Sequence, residues 1–301
     1  MKRLLTVIIV LLLLAPIGLR AQLDPVSLAF RAYQAKDLGK AKELIETAVG
    51  MQPYDVQART WYFKAYIYKD LYKEDRNAAG AQNFRDVAIN SYFKTIELDD
   101  VKEFSEDSKQ SVRFLANTYY NDAAAALELD NFENADKLYN EYRNYSIKLN
   151  PEIDFRARDI EFKLYVASKY SFIFDAADMN SKPKDVSDKI VQLYKQVLGI
   201  DSNNISANYN LGIHYYNQGV NIIENIDYND DFEKIMQLQI DVVELFNSAL
   251  PYMLRAHLLD PSRKDSIRGL SGIYYGLNNL EKSEEYQKKL EELELREQQG
   301  Q

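Results

Sequence analysis

The chain of 301 residues contains no cysteine and only two histidines, His214 and His257. The absence of cysteine excludes disulfide bonds, a nucleophilic cysteine and a lipid anchor on an N-terminal cysteine. Serine or metal catalysis generally needs histidine, and the two present lack the HExxH spacing of a zinc site. No GxGxxG or GxxxxGK[ST] motif for nucleotide phosphates is found. We therefore expect a protein that is not an enzyme and that has no cofactor or metal.

Basic clusters are also missing. The chain has 37 Lys and Arg residues against 46 Asp and Glu, a formal net charge of -9, and no run of five basic residues. Proteins that bind a phosphate backbone depend on clustered lysine and arginine. The charge pattern therefore predicts no nucleic-acid partner. The acidic stretch 226–233 lacks the glycine and the final glutamate of an EF-hand loop, so we interpret it as a solvated loop that caps a helix.

Proline and glycine are scarce, with seven Pro and 11 Gly residues. Runs in which apolar and polar residues alternate, as they do in half-buried strands, are almost absent. This composition is typical of a helical protein.

One long apolar run opens the chain. Lys2 and Arg3 precede apolar residues up to about Gly18, and a short boundary ends at Ala21. The run is shorter than the roughly 20 residues that a membrane-spanning helix needs. We interpret residues 1–21 as a secretory signal peptide that is cleaved after Ala21, and the alternative is an uncleaved N-terminal anchor. The mature chain, with a net charge of -12, is then expected to be soluble in the bacterial periplasm or outside the cell, without membrane insertion and without a lipid anchor.

Two stretches carry a repeat pattern, ANYNLGIHYYNQG at 207–219 and ALPYMLRAHLLDP at 249–261. In the second, Ala249, Met253 and Ala256 share one helical face, because residues at i, i+4 and i+7 lie above one another. Pro261 then ends the helix. Together the two stretches resemble one complete tetratricopeptide (TPR) repeat. The resemblance implies an all-α fold, a right-handed α-solenoid of antiparallel helical hairpins, and a role in binding.

The spacing of the second helix recurs along the chain. Its first small position falls at Ala41, Ala88, Ala135, Ile190, Ala249 and Ser283. All intervals except the last exceed the 34-residue period of the TPR family. We therefore predict that insertions at about 73–84, 175–188 and 220–248 elongate some hairpins. In the last of these, Asp230 or Asp231 is expected to cap a helix that kinks at Pro251. The predicted organisation is a signal peptide at 1–21, a single TPR-like solenoid of about six hairpins at 22–295, and a frayed tail at 296–301.

Tyrosine is unusually frequent, with 23 residues against one Trp. Most tyrosines are expected to fill the space between hairpins. The TPR resemblance implies that the others line a concave groove formed by the first helices. Tyrosine offers contact area at low entropy cost, and asparagine can bond a peptide backbone. The predicted binding residues are Tyr62, Tyr66, Tyr120, Asn121, Tyr209, Asn210, Tyr216, Asn217, Arg268 and Tyr275, with Tyr33, Arg59 and Lys69 near them.

The leading hypothesis is a non-enzymatic scaffold or adaptor of the cell envelope that binds a protein or an extended peptide. The alternative is a carbohydrate-binding accessory protein of an envelope uptake system, because helical-repeat proteins that capture glycans also use exposed aromatic residues. Such proteins typically carry an anchoring cysteine and tryptophan-bearing loops, whereas this chain has only Trp61. An enzyme based on paired carboxylates stands third, since 46 acidic residues supply many pairs. The sequence leaves the partner and the oligomeric state open.

Overall fold

A computed structural model describes residues 24–76, 80–177, 183–227, 229 and 231–298. The predicted signal peptide and residues 299–301 lie outside this part of the chain. The described residues form twelve α-helices and one short 3-10 turn, and no strand is found among them. None of these helices is long and apolar enough to cross a membrane. The helices are α1 (Pro25–Gln34), α2 (Leu38–Val49), α3 (Ala58–Glu74), α4 (Ala81–Leu98), α5 (Ser105–Glu128), α6 (Phe132–Leu149), α7 (Arg156–Ala176), α8 (Lys184–Ile200), α9 (Ile205–Glu224), α10 (Phe232–Leu259), α11 (Lys264–Gly276) and α12 (Leu280–Gln298).

Consecutive helices pack together as pairs. Helix α1 packs against α2, α3 against α4, α7 against α8, α9 against α10, and α11 against α12. Helices α5 and α6 meet through Tyr120, whose ring centroid lies 6.2 Å from that of Tyr139 and 5.4 Å from that of Tyr142. The described residues therefore form six helical hairpins. The all-α fold of helical hairpins predicted from the sequence is confirmed.

The repeat pattern identifies the buried faces of the second helices. The first small position of each unit lies on a second helix and is buried: Ala41, Ala88, Ala135, Ile190, Ala249 and Ser283. The bulky position four residues later is also buried in the first five units, at Ile45, Tyr92, Tyr139, Tyr194 and Met253. In α12 the corresponding Gln287 is exposed and Tyr286 is buried instead. Residues three and four positions apart share a helical face, so this shift keeps the contact.

The long intervals between repeats become extra helical turns. Helix α5 has 24 residues and α10 has 28. Of the two predicted capping residues of α10, Asp231 accepts a hydrogen bond from the backbone N–H of Lys234 at 2.8 Å, while Asp230 lies outside the described residues. Helix α10 continues through Pro251 up to Leu259. The elongation predicted at 220–248 is therefore present in α10, whereas the insertions predicted at 73–84 and 175–188 fall largely between helices and partly outside the described residues.

The helices are grouped into two compact units. Unit 1 comprises the described residues up to Ala125 together with Glu133–Ile153, and unit 2 comprises Ala126–Phe132 and the described residues from Asp154 onward. A core of unit 1 is built on α1, α2 and α3, around Ile45 and Ile67. A core of unit 2 is built on α10, α11 and α12, around Phe246, Met253 and Leu270. The single solenoid over 22–295 stays a prediction.

Asp99 holds the start of α5. Its carboxylate accepts hydrogen bonds from the backbone N–H of Glu103 at 3.1 Å, from that of Phe104 at 2.8 Å, and from the Ser105 hydroxyl at 2.7 Å. Burial acts to raise the pKa of Asp99, but these hydrogen bonds lower it by a larger amount. The pKa of Asp99 therefore lies below its ordinary value. The carboxylate thus satisfies backbone donors of the segment that leads into α5 and caps the entry to this helix.

Substitution Asp99→Ala is expected to lower the free energy of unfolding by about 1–2 kcal/mol at neutral pH, the usual cost of losing a helix cap. A carboxyl with a lowered folded pKa stabilises above its unfolded pKa of about 4, and this contribution disappears as the pH falls through the folded pKa. The difference between wild type and variant should therefore shrink in urea unfolding between about pH 7 and about pH 2.5. The neighbouring exposed Asp100→Ala is the control. A difference that stays constant with pH would contradict the capping role.

Candidate functional site

Three tyrosines of unit 1 lie together on the first helices of two neighbouring hairpins. The ring of Tyr66 on α3 lies 5.5 Å, edge to face, from Tyr33 on α1 and 6.0 Å from Tyr62. Tyr62 in turn lies 4.8 Å from Phe104, just before α5. All three tyrosines are half-buried. Tyr33, Tyr62 and Tyr66 form what we call the tyrosine surface.

Two hydroxyl groups of the tyrosine surface donate to carboxylates. The Tyr33 hydroxyl bonds Asp70 at 2.6 Å and the Tyr62 hydroxyl bonds Asp107 at 2.8 Å. Burial of each phenol, together with its carboxylate partner, raises the pKa of both tyrosines. The hydroxyls therefore remain protonated at neutral pH and fix the ring orientation. Each carboxylate keeps acceptor capacity for a further donor, because a carboxylate offers about four lone-pair sites.

Lys69 contacts the tyrosine surface through the ring of Tyr66. Its ammonium lies 4.1 Å from the ring centroid of Tyr66 and 5.5 Å from that of Tyr92, and it donates to the Ser111 hydroxyl at 3.2 Å. The side chain is buried, and this burial, together with the charge of Lys73, lowers the pKa of Lys69. The sequence placed Lys69 near the groove lining. Its cation-π contacts make it a support of the rings.

A cavity of about 500 Å³ adjoins the tyrosine surface. Asp70 lies in its wall, with the Lys73 ammonium 3.6 Å from the carboxylate. The cavity offers an aromatic ring, an apolar side chain and charges of both signs, which suits an apolar ligand segment that carries polar groups. The lining residues are Tyr33, Gln34, Lys36, Leu38, Asp70, Lys73 and Glu74.

The other predicted binding residues of unit 1 are arranged differently. Tyr120 packs inside its own hairpin, against Tyr139 and Tyr142 of α6. Asn121 is exposed. Arg59 pairs with Asp24 at 3.4 Å. The structure therefore brings Tyr62 and Tyr66 together with Tyr33, whereas the ring of Tyr120 is engaged in hairpin packing.

In unit 2, two predicted tyrosines contribute to the core. Tyr216 stacks on Phe246 with ring centroids 5.5 Å apart, and both Tyr216 and Tyr209 pack against the core cluster of this unit. The guanidinium of Arg263 lies 3.9 Å from the ring centroid of Tyr209. Burial is the first cause of the raised pKa of both tyrosines. Much of their ring surface is already used by packing.

The remaining predicted residues of unit 2 are polar or exposed. The side chain of Asn210 lies close to the hydroxyl group of Tyr194. Asn217 is exposed and lines a cavity of about 210 Å³. Arg268 lies 3.3 Å from Asp265 and 3.6 Å from Glu294. Tyr275 is 69% exposed and is therefore the most accessible of the predicted tyrosines.

The two histidines have different neighbours. His214 is buried, with Nε2 at 2.8 Å from the Ser187 hydroxyl and its ring 5.1 Å from Phe174. His257 lies 5.5 Å from the ring of Tyr286, and burial lowers its pKa. Within the described residues, no group of three His, Cys, Asp or Glu side chains is arranged to hold a metal. Both histidines thus pack against aromatic rings within unit 2.

Sequence reasoning missed the polar partners of the tyrosine surface. Asp70 and Lys73 follow Tyr66 by four and seven residues, so the helical period alone places them on its face. Phe104 and Asp107 come from the next hairpin, and no local pattern connects them with Tyr62. Pairing of this kind depends on how the hairpins stack.

No protein-family model matches the chain, and no curated protein matches it. Among solved structures, a monomeric mutant of IFIT1 bound to Gppp-AAAA is 16% identical, covering 85% of this chain and 46% of that chain with a TM-score of 0.36. MamA is 14% identical, covering 78% and 94% of the two chains with a TM-score of 0.32. PilW, described as a widely conserved type IV pilus biogenesis factor, is 14% identical, covering 88% and 90% with a TM-score of 0.29. The chain thus spans about half the length of the IFIT1 protein.

Proposed function

We propose that this protein is a non-enzymatic TPR-type scaffold of the bacterial cell envelope that binds an extended peptide segment of a partner protein on the tyrosine surface. One observation carries the proposal. Tyr33 and Tyr62 are hydrogen-bonded to Asp70 and Asp107, and the ring of Tyr66 lies between theirs, beside a cavity of about 500 Å³. The N-terminal pattern of residues 1–21 supports export.

The chemistry of the surface suits a peptide with apolar side chains and exposed N–H groups. Half-buried tyrosine rings give apolar contact, and little entropy is lost on binding because each has few rotatable bonds. Asp70 and Asp107 are within reach of the same ligand and can accept backbone N–H groups or a cationic side chain. Lys73 and Lys36 in the cavity wall can donate to backbone carbonyls or to a carboxylate.

The carbohydrate alternative has less support. Sugar platforms need an aromatic ring with an open face, and tryptophan is the strongest of them. Trp61 is partly buried, its indole N–H donates to the Asp55 carbonyl at 2.7 Å, and the Lys64 ammonium lies 5.3 Å from its ring centroid. The only tryptophan is thus engaged in internal contacts.

The test is affinity capture with residues 22–301 from the cell-envelope extract of the source organism. Tyr62→Ala/Tyr66→Ala removes two rings and is expected to reduce recovery of the partner at least about tenfold, since aromatic contacts of this size dominate interface energies. Tyr33→Phe/Tyr62→Phe keeps the rings and removes only the two hydroxyls, and we expect a smaller loss of about threefold to tenfold. Recovery is measured by quantitative mass spectrometry.

The matched control is Phe172→Ala, which removes an aromatic residue that is 75% exposed and lies on α7 of unit 2. It should leave capture unchanged. Circular dichroism melting shows whether each variant keeps the fold. Full recovery of the partner by a folded Tyr62→Ala/Tyr66→Ala variant would disprove the proposed surface. Binding on a glycan array that is lost in the same variant would establish the carbohydrate alternative.

A further inference from the structure

The first half of α10 exposes a row of large apolar side chains. Phe232 is 74% exposed, Met236 46%, Ile240 48% and Val243 43%. They follow one another at intervals of four, four and three residues, so they lie on one face of the helix. We call these four residues the outer stripe of α10.

The outer stripe is distinct from the face that packs into the core. Val242, Phe246 and Ala249 of the same helix are buried in the core of unit 2. Helix α10 is therefore apolar on two faces, and only one is covered within the described residues. An amphipathic helix normally shows one apolar face, and a contiguous exposed second one marks an interaction surface.

The geometry of the hairpin explains why Phe232, Met236 and Ile240 of the outer stripe have no cover from α9. Gly219 of α9 lies against the ring of Phe246, which sets the two helices in register. From that contact, α9 continues for only five residues to Glu224, whereas α10 reaches back fourteen residues to Phe232. The first turns of α10 therefore extend past the end of α9. This extension is part of the insertion at 220–248 that the repeat spacing predicted.

Acidic side chains border the outer stripe on one side. Glu233 and Glu244 are both exposed and are eleven residues apart, which is three helical turns or about 16 Å. Each follows a stripe residue by one position, after Phe232 and after Val243. Neither makes an ion pair among the described residues. Together they place two negative charges beside an apolar row in a chain whose net charge is already -9.

We propose that the outer stripe binds an amphipathic helix of a partner protein, whose apolar face covers Phe232, Met236, Ile240 and Val243. Lys or Arg residues three turns apart on the edge of the partner helix then face Glu233 and Glu244. Apolar anchors at helical spacing provide the contact area, and the charges set partner and register.

A second copy of this chain fits the outer stripe less well. In an antiparallel pair about a two-fold axis, Glu233 of one copy faces the region of Glu244 of the other. Like charges in apposition across an interface are unfavourable. The charge pattern thus selects a basic partner. The proposal concerns unit 2 and does not depend on the tyrosine surface.

The probe is a fluorescein-labelled amphipathic helical peptide of about 20 residues, with leucine on one face and lysine on its edges. A matched peptide has glutamate in place of every lysine. Fluorescence anisotropy with residues 22–301 should show binding of the lysine peptide and at least about tenfold weaker binding of the glutamate peptide. The variant Met236→Glu/Ile240→Glu should lose at least about tenfold in affinity for the lysine peptide. Both residues are exposed, so the fold should be kept, which circular dichroism verifies.

Charge reversal separates a specific site from general attraction to an acidic protein. Glu233→Lys/Glu244→Lys should reverse the preference between the two peptides. Glu281→Lys/Glu284→Lys changes two exposed acids of α12, gives the same net charge, and should leave the preference as in wild type. Equal effects of the two double reversals would overturn the proposal. The proposal would also be overturned if sedimentation velocity showed a wild-type dimer that dissociates in the Met236→Glu/Ile240→Glu variant. The occupant of the outer stripe would then be a second copy of the chain.

Discussion

Substitution Gly276→Ala is expected to lower the free energy of unfolding of unit 2 by about 3 kcal/mol, the upper range for overpacking a tight core. A Cβ atom at this position would lie 2.0 Å from Cε2 and 2.4 Å from Cδ2 of the Phe246 ring. Phe246 is 1% exposed, and a Cβ on Gly219 would meet the opposite edge of the ring at 2.6 Å. The ring is therefore confined between two glycines and has no space to shift.

The control for this effect is Gly199→Ala, also a helical glycine. No atom lies within 4 Å of its added Cβ, so alanine should stabilise by about 0.5–1 kcal/mol. Phe246→Leu combined with Gly276→Ala should cost less than the sum of the two single changes, because the smaller side chain relieves the clash. The free energy of unfolding of wild type and of the four variants is measured by urea unfolding followed by circular dichroism. Additive costs in the double variant would show that the clash is not the cause.

Substitution Arg85→Ala is expected to destabilise unit 1 by about 2–3 kcal/mol, because it removes a buried side chain that hydrogen-bonds a charged partner. Arg85 is 2% exposed. Its guanidinium donates to Asp122 at 2.6 Å and to the Thr118 hydroxyl at 3.0 Å, and it lies 3.3 Å from the ring centroid of Tyr119. Alanine leaves a cavity beside Tyr119 and removes the two hydrogen bonds that Arg85 makes from α4 to α5.

The matched control is Arg156→Ala, which also breaks an Arg–Asp pair. Arg156 lies 2.7 Å from Asp154, but its side chain is 77% exposed, so the loss of stability should be much smaller than that of Arg85→Ala. Arg85→Lys should lose a substantial part of the stability, because an ammonium cannot reach several acceptors while stacking on an aromatic ring. The measurement is again urea unfolding at neutral pH. Similar losses for Arg85→Ala and Arg156→Ala would mean that the buried network contributes little.

The proposed binding surface depends on features that local sequence did not distinguish. Tyr62, Tyr66, Tyr120 and Tyr216 all occupy first helices and were predicted together. In the structure Tyr62 and Tyr66 join Tyr33 above Lys69, Tyr120 packs inside its hairpin, and Tyr216 stacks on Phe246. Whether a tyrosine faces a ligand or a core is decided by the hairpin that packs next to it.

The helical class, the hairpins and the buried faces of the second helices follow from the amino-acid sequence without knowledge of the tertiary fold. Positions such as Ala41, Ile45, Ala249 and Met253 are set by the helical period, and Asp231 by the chemistry of a helix start. The packing of separate helices settles that Asp107 bonds Tyr62, that Lys69 bonds Ser111, and that the first turns of α10 extend past α9. The physical reason is range: a helical period acts over a few residues, whereas these contacts join residues from separate helices.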